Sequence, residues 1–303
     1  MTKTKFKIRN FFKIAGKAFL SWRKKDPFRQ SAVIAYYAIF SIPGLLMLLI
    51  SIAGYFFGQD QVSSHLMGEI TTTLGAETAE QVQSMIHKTS EVKISLWAKI
   101  IGGITIIIGA TGVFNEFQKS LNNIWEVKPL ATKSRIKKIV VARLFSFGLI
   151  LSLAFILMVS LVISAILTAL GDWISGRFSE SALIILQVLT FITSTAILAF
   201  LFALMFKYLP DAKIKWNHVW IGALVTALLF ELGKTVLEIY FSKTTPEDGY
   251  GSGGSVILIL LWVSYSSLIV FYGAEFTRAY VALHADPVEP TDIAVKVEKP
   301  EKS

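Results

Sequence analysis

Residues 32–57 read AVIAYYAIFSIPGLLMLLISIAGYFF, and no Asp, Glu, Lys or Arg interrupts them. A hydrocarbon core of ~30 Å needs about 20 helical residues at 1.5 Å each, so this run is long enough to cross a bilayer. Pro43-Gly44 predicts a kink rather than an end, because neighbouring helices re-satisfy freed backbone groups. Five further apolar runs follow, at Leu96–Phe114, Leu144–Leu170, Ala182–Tyr208, Val219–Phe241 and Ser255–Ala274. The reading is an all-α polytopic membrane helix bundle with six transmembrane helices. It divides the chain into a basic amphipathic segment at 1–31, a six-helix domain at 32–280 and a tail at 281–303.

Composition agrees. Of 303 residues, 53% are hydrophobic and only 17% charged, whereas a soluble domain carries about 25% charged residues. Cysteine is absent, which excludes a disulfide framework, a thiolate metal site and a cysteine nucleophile. The four histidines (His65, His87, His218, His284) are scattered. No HExxH, G-x-S-x-G or Walker A pattern occurs. The expectation is a protein without catalytic residues, metal or cofactor, and not an enzyme.

Lys and Arg fix the expected orientation. Segment 1–31 holds ten of them and the loop 115–143 seven, with three near 207–218 and four from Arg278 onward. The intervening loops hold only Lys88, Lys93, Arg177 and Lys243, beside nine acids. By the positive-inside rule both termini are expected to be cytoplasmic. The net charge of +9 is then a topology signal, and no nucleic-acid partner is expected.

Ile8, Phe11, Phe12, Ala15, Phe19 and Trp22 recur at helical spacing among lysines. This pattern predicts an N-terminal amphipathic helix in the cytoplasmic interface, with its lysines on anionic headgroups of membrane lipids. In loop 58–95, Leu66, Ile70 and Leu74, then Val82, Met85 and Ile86, predict two short amphipathic helices capping the outer side. The Pro-, Glu- and Lys-rich tail after His284 shows no core-forming pattern and is expected to be disordered. The run Gly249–Gly254 reads as a hinge before the last span and not as a phosphate loop.

Ionisable side chains within spans cost on the order of 3 kcal/mol each on insertion, so they normally face the bundle or a wet cavity. Glu231 is expected near the midplane of the fifth span, with Lys234 and Glu238 at i+3 and i+7 on one face. Glu231 and Lys234 are then near enough to neutralise each other. Such a couple is either a packing ion pair or a polar strip lining a cavity, and spacing does not separate the two. Asn115 and Glu116, Arg143, then Glu275 and Arg278 stand at the cytoplasmic ends of three spans, as an inner gate or an ion-paired rim. Tyr36 and Tyr37 open the first span, either as an aromatic belt or as site residues.

The stretch Ser31–Pro43 (SAVIAYYAIFSIP) resembles the opening signature of the YihY/virulence factor BrkB family. So do Gly109–Gln118 (GATGVFNEFQ) with Leu121–Trp125 (LNNIW), Tyr208–Asp211 (YLPD) with Phe230–Lys234 (FELGK), and Leu260–Trp262 with Tyr272–Phe276 (YGAEF). In that order they cover about residues 30 to 280. The resemblance implies a six-helix inner-membrane protein with both termini inside. Members have carried a ribonuclease label that no motif in these residues supports. Other proposals link the family to serum resistance and to handling of lipids or lipid-linked glycans. The motif positions carried over are Tyr36, Tyr37, Asn115, Glu116, Arg143, Glu231, Lys234 and Glu275.

The expected function is a transporter or flippase-like protein for a lipid or other amphiphile. No ATP site is present in the sequence, so movement would be passive, ion-coupled or partner-driven. The alternative is a non-catalytic membrane scaffold in cell-envelope biogenesis, working as a homo-oligomer or with an envelope protein partner.

Overall fold

Inside lipid every backbone N–H and C=O needs a partner within its own segment, which leaves the helix as the economical answer to long apolar runs. The computed structural model describes residues 8–91, 96–130, 180–244, 254–284 and 287–297. Helix α1 spans Ile8–Arg23, and Asp26 (φ 49°, ψ 53°) then turns the chain into α2, Pro27–Phe57. Proline at the first helical position lacks only an N–H that would be orphaned anyway. α2 runs through Pro43 without ending. Glycines at positive φ, Gly58 (89°) and Gly75 (88°), make the bends into α3 (Gln59–Leu74) and α4 (Ala76–Glu91). α5 follows at Leu96–Ile124, then strand β1 at Val127–Pro129. α6 is Glu180–Tyr208, α7 Trp216–Thr244, α8 Gly254–His284 and β2 Ala294–Lys296.

The chain is an all-α membrane protein, with one two-stranded ribbon among the described residues. Among the described residues four helices are long and apolar enough to cross a bilayer: α2, the 191–208 part of α6, the 216–241 part of α7, and α8. The expected second span is the helix α5, and the expected third, Leu144–Leu170, lies outside the described residues. The count of six is therefore not reached among them. Their exteriors suit lipid. Leu224, Leu228, Leu232 and Val236 form an exposed i, i+4 stripe on α7, and Val188, Phe191 and Ile192 are exposed on α6. Such contiguous apolar surface is unsustainable in water and ordinary against acyl chains.

Packing depends on small residues, as membrane helices require. Gly222 and Thr226 of α7 meet Gly273 and Thr277 of α8 reciprocally. A Cβ on Gly222 would overlap Thr277, and one on Gly273 would overlap Thr226. Each threonine hydroxyl donates back to the carbonyl of its own glycine, at 2.7 and 2.8 Å. α5 approaches α2 the same way: a Cβ at Gly109 would lie 3.0 Å from the Tyr37 carbonyl oxygen, and Gly112 faces the Tyr37 ring. The central core includes Ile34, Leu121, Phe206 and Phe271.

The two short helices expected in loop 58–95 are present as α3 and α4. They fold back as a hairpin, with Val62 against Ile50 and Ala53, and Met67, Leu74 and Val82 against Phe241, Leu258 and Ile259.

The tail departs from expectation. Its residues 287–297 are ordered, because β2 pairs antiparallel with β1 in the register Val127↔Lys296, Lys128↔Val295 and Pro129↔Ala294. Pro290 bridges Ala212, Val288 packs against the central core, and Ala294 is buried. Composition misses this because the order comes from backbone pairing to two loops and needs few apolar side chains of its own.

Candidate functional site

At the basic end of the bundle, the turn after α1 aims Lys25 inward. Its Nζ lies 2.7 Å from Glu275 Oε1 and donates to the Ile124 carbonyl at 3.0 Å. Glu275, on α8, is 1% exposed. One turn on, Arg278 reaches Glu275 at 3.6 Å and Glu126 at 2.7 Å, so the charges run Lys25–Glu275–Arg278–Glu126. Glu126 sits at φ 54° just past α5, a backbone conformation that costs a non-glycine residue about 1 kcal/mol or more. Burial pushes the Lys25 ammonium below its usual range, and the Glu275 carboxylate only partly counters this.

Beside this chain of charges, Asn122 and Asp211 pair in both directions. Asn122 Nδ2 donates to Asp211 Oδ2 at 2.8 Å, and the Asp211 amide donates to Asn122 Oδ1 at 2.7 Å. Both residues are buried. Gln118 Nε2 adds a longer bond to Asp211 Oδ1 at 3.4 Å. The Asp211 carbonyl accepts from the Thr291 amide at 3.0 Å and from its hydroxyl at 3.3 Å. The tail thereby straps the α5–β1 turn to the α6–α7 loop. At its exposed edge, Lys213 and Asp292 bond at 2.8 Å, which raises the lysine pKa and lowers that of the aspartate.

The second cluster lies on α7, in the half nearer α3 and α4. Gly233 packs on Tyr265, which precedes Glu275 on α8 by ten residues, or about 15 Å. Lys234 lies within electrostatic reach of Glu231, as expected, but its close ion pairs are with other acids. Lys234 pairs with Glu69 of α3 at 3.6 Å and with Glu238 at 3.9 Å, and Glu231 is not among its ion-pair partners. Helix arithmetic had no access to Glu69, which the folded-back hairpin brings to this level. Glu231 itself is half-buried beside the exposed Leu228–Leu232 stripe, near the middle of α7. The side chains of Lys234 and Glu238 are 28% and 27% exposed, so the strip is reachable from outside the bundle.

The other expected site residues divide. Glu275 is central to the first cluster. Glu116 is partly buried and pairs only locally with Lys119, at 3.5 Å. Asn115 and Tyr36 are exposed, and Tyr37 serves the α2–α5 contact. Arg143 lies outside the described residues. Sequence reasoning missed Lys25, Asn122, Glu126 and Asp211 as site residues. Asn122 and Asp211 stand inside the quoted LNNIW and YLPD blocks, and that co-occurrence was the available signal.

The model of the family described as Virulence factor BrkB matches residues 18–294. The chain belongs to that family. Both clusters and most of the strap lie within the matched BrkB range. The chain is also similar to proteins described as UPF0761 membrane proteins. One from Chlorobium limicola is 25% identical over 289 residues, covering 93% of this chain and 62% of that protein. One from Vibrio vulnificus is 27% identical over 252 residues, covering 82% and 76%. One from Stenotrophomonas maltophilia is 24% identical over 271 residues, covering 86% and 59%. The chain thus spans about three fifths of the length of the Chlorobium and Stenotrophomonas relatives. No solved structure is a significant match.

Proposed function

We propose that this BrkB-family chain is a six-span transporter or flippase-like protein for a lipid or other amphiphile in the bacterial inner membrane, with both termini cytoplasmic. The observation that carries the reading is the contrast between the two clusters. In the basic-end cluster Glu275, Asn122 and Asp211 are buried and paired, and the partly buried Lys25, Glu126 and Arg278 pair around them, as at a closed gate. The α7 strip holds Glu231, Lys234 and Glu238 half-exposed within an otherwise apolar helix, beside the lipid-facing stripe. A headgroup enters such a strip while its chains stay in hydrocarbon, and the intramembrane charges offset its desolvation.

The test is translocation of a headgroup-labelled lipid in proteoliposomes. Lys234→Met and Glu231→Gln each slow it at least several-fold while the protein keeps its thermal midpoint. Unchanged translocation in both variants rules the assignment out. The scaffold reading draws on one observation, that Lys234 is already neutralised by Glu69 and Glu238. In that case Lys234→Glu combined with Glu238→Lys restores stability and phenotype together, and no translocation is measurable in the wild type.

A further inference from the structure

The first helix has three faces where an interfacial helix needs two. Advancing 100° per residue, one sector carries Phe11, Ile14, Ala15, Ala18 and Trp22. Ile14 and Ala18 are fully buried on α8 beside Phe276, and Trp22 Nε1 donates to the Leu268 carbonyl at 3.2 Å. The next sector carries Phe12 (70% exposed), Gly16, Phe19 (48%) and Leu20 (60%), and it continues into Phe28 (65%) at the start of α2. The third carries Lys13 and Lys17, both exposed; Arg23 stands within the apolar sector, Lys24 lies just past the helix end, and Arg29 is on the first turn of α2, all three exposed. The cations are sorted accordingly. Lys25, the one turned inward, has a buried carboxylate partner, whereas Lys13, Lys17, Arg23, Lys24 and Arg29 make no ion pair with any described acid.

We infer that α1 is a docking surface for anionic phospholipid: Phe12, Phe19, Leu20 and Phe28 enter the acyl boundary of one leaflet while the five unpaired cations hold acidic headgroups. The occupant follows from charge and shape together. A ridge of large apolar side chains flanked along its length by unpaired cations, with one acid (Asp26) nearby, complements a surface that is apolar below and negative above. A polyanion in water satisfies the cations and leaves the phenylalanines wet. Because the first face is fastened to α8, the helix stays in register with the bundle, and the bound lipid sits next to the Lys25–Glu275 pair. The inference does not depend on transport.

The test exploits the cysteine-free chain. Full-length Leu20→Cys carries an environment-sensitive fluorophore in phosphatidylcholine nanodiscs containing a fixed small fraction of brominated lipid. Brominated phosphatidylglycerol is expected to quench as though enriched about tenfold or more over brominated phosphatidylcholine, since several basic side chains act together. Adding Lys13→Gln, Lys17→Gln, Arg23→Gln, Lys24→Gln and Arg29→Gln abolishes that preference, while quenching by brominated phosphatidylcholine persists and shows the helix still seated. Equal quenching by the two lipids in the parent protein overturns charge selection. Absence of quenching by either overturns the membrane surface altogether and leaves another protein as the occupant.

Discussion

Lys25 and Glu275 are separated by 250 residues in the chain and by 2.7 Å in the fold, which makes them suited to a double-mutant cycle. Lys25→Met leaves the nearly inaccessible Glu275 carboxylate with only Arg278, at 3.6 Å. Breaking a buried pair costs about 3–5 kcal/mol. The surviving arginine and the 19% exposure of Lys25 reduce this to about 2 kcal/mol. Glu275→Gln leaves an ammonium that still donates to the Ile124 carbonyl and costs about 1–2 kcal/mol. The double variant removes both charges, while Arg278 keeps Glu126 at 2.7 Å. It should be more stable than the sum of the singles by about 1–2 kcal/mol, within the range for contacting residues. In thermal melts followed by circular dichroism in detergent, Lys25→Met lowers the midpoint by about 5 °C, and the double variant recovers part of it. Strict additivity would show that the two groups do not meet, and the account of the basic end would fail with them.

Other consequences are open to direct measurement. Because burial lowers the Lys25 pKa below that of the unfolded chain, the unfolded state binds more protons in the window between the folded value and 10.5. Stability at Lys25 therefore rises with pH through that window, and Lys25→Met loses the rise; an identical slope in the variant refutes the assignment. Gly222→Ala forces a methyl against Thr277 and should cost about 1–3 kcal/mol by chemical denaturation, whereas an unchanged midpoint would refute the close α7–α8 crossing. Asn122→Ala removes both bonds to Asp211 and should loosen the strap, so that protease cuts the tail between 287 and 297 several-fold faster with the helices intact. Unaltered cleavage would disconnect the pair from the tail.

Much of the fold was legible because the bilayer simplifies the problem. The apolar runs at 32–57, 182–208, 219–241 and 255–274 became α2, α6, α7 and α8, each longer than its run because helical hydrogen bonding continues past the apolar stretch. α3 and α4 were legible from the spacing of Leu66, Ile70, Leu74, Val82 and Ile86. The site was less so. Glu275 was picked out as a charge at a span end, but its partner Lys25 looked like one more cation in a basic segment. Only tertiary packing separates it from Lys24 beside it. The Glu231–Lys234 spacing left out Glu69, because spacing along one helix says nothing of a second helix folding back beside it. The strap was hidden by a composition that resembles a disordered tail, since strand pairing uses the backbone that every sequence has.

The proposed function requires an asymmetry, with the paired basic end closed on the cytoplasmic side and the α7 strip reached from the other side. Single cysteines introduced into this cysteine-free chain, at Glu238→Cys and at Asn122→Cys, report on it in intact cells through a membrane-impermeant maleimide. Position 238 should label from outside, whereas position 122 should stay unlabelled until the cells are opened and the protein is unfolded. Labelling of position 122 from outside, with position 238 protected, would contradict both the orientation and the sealed end.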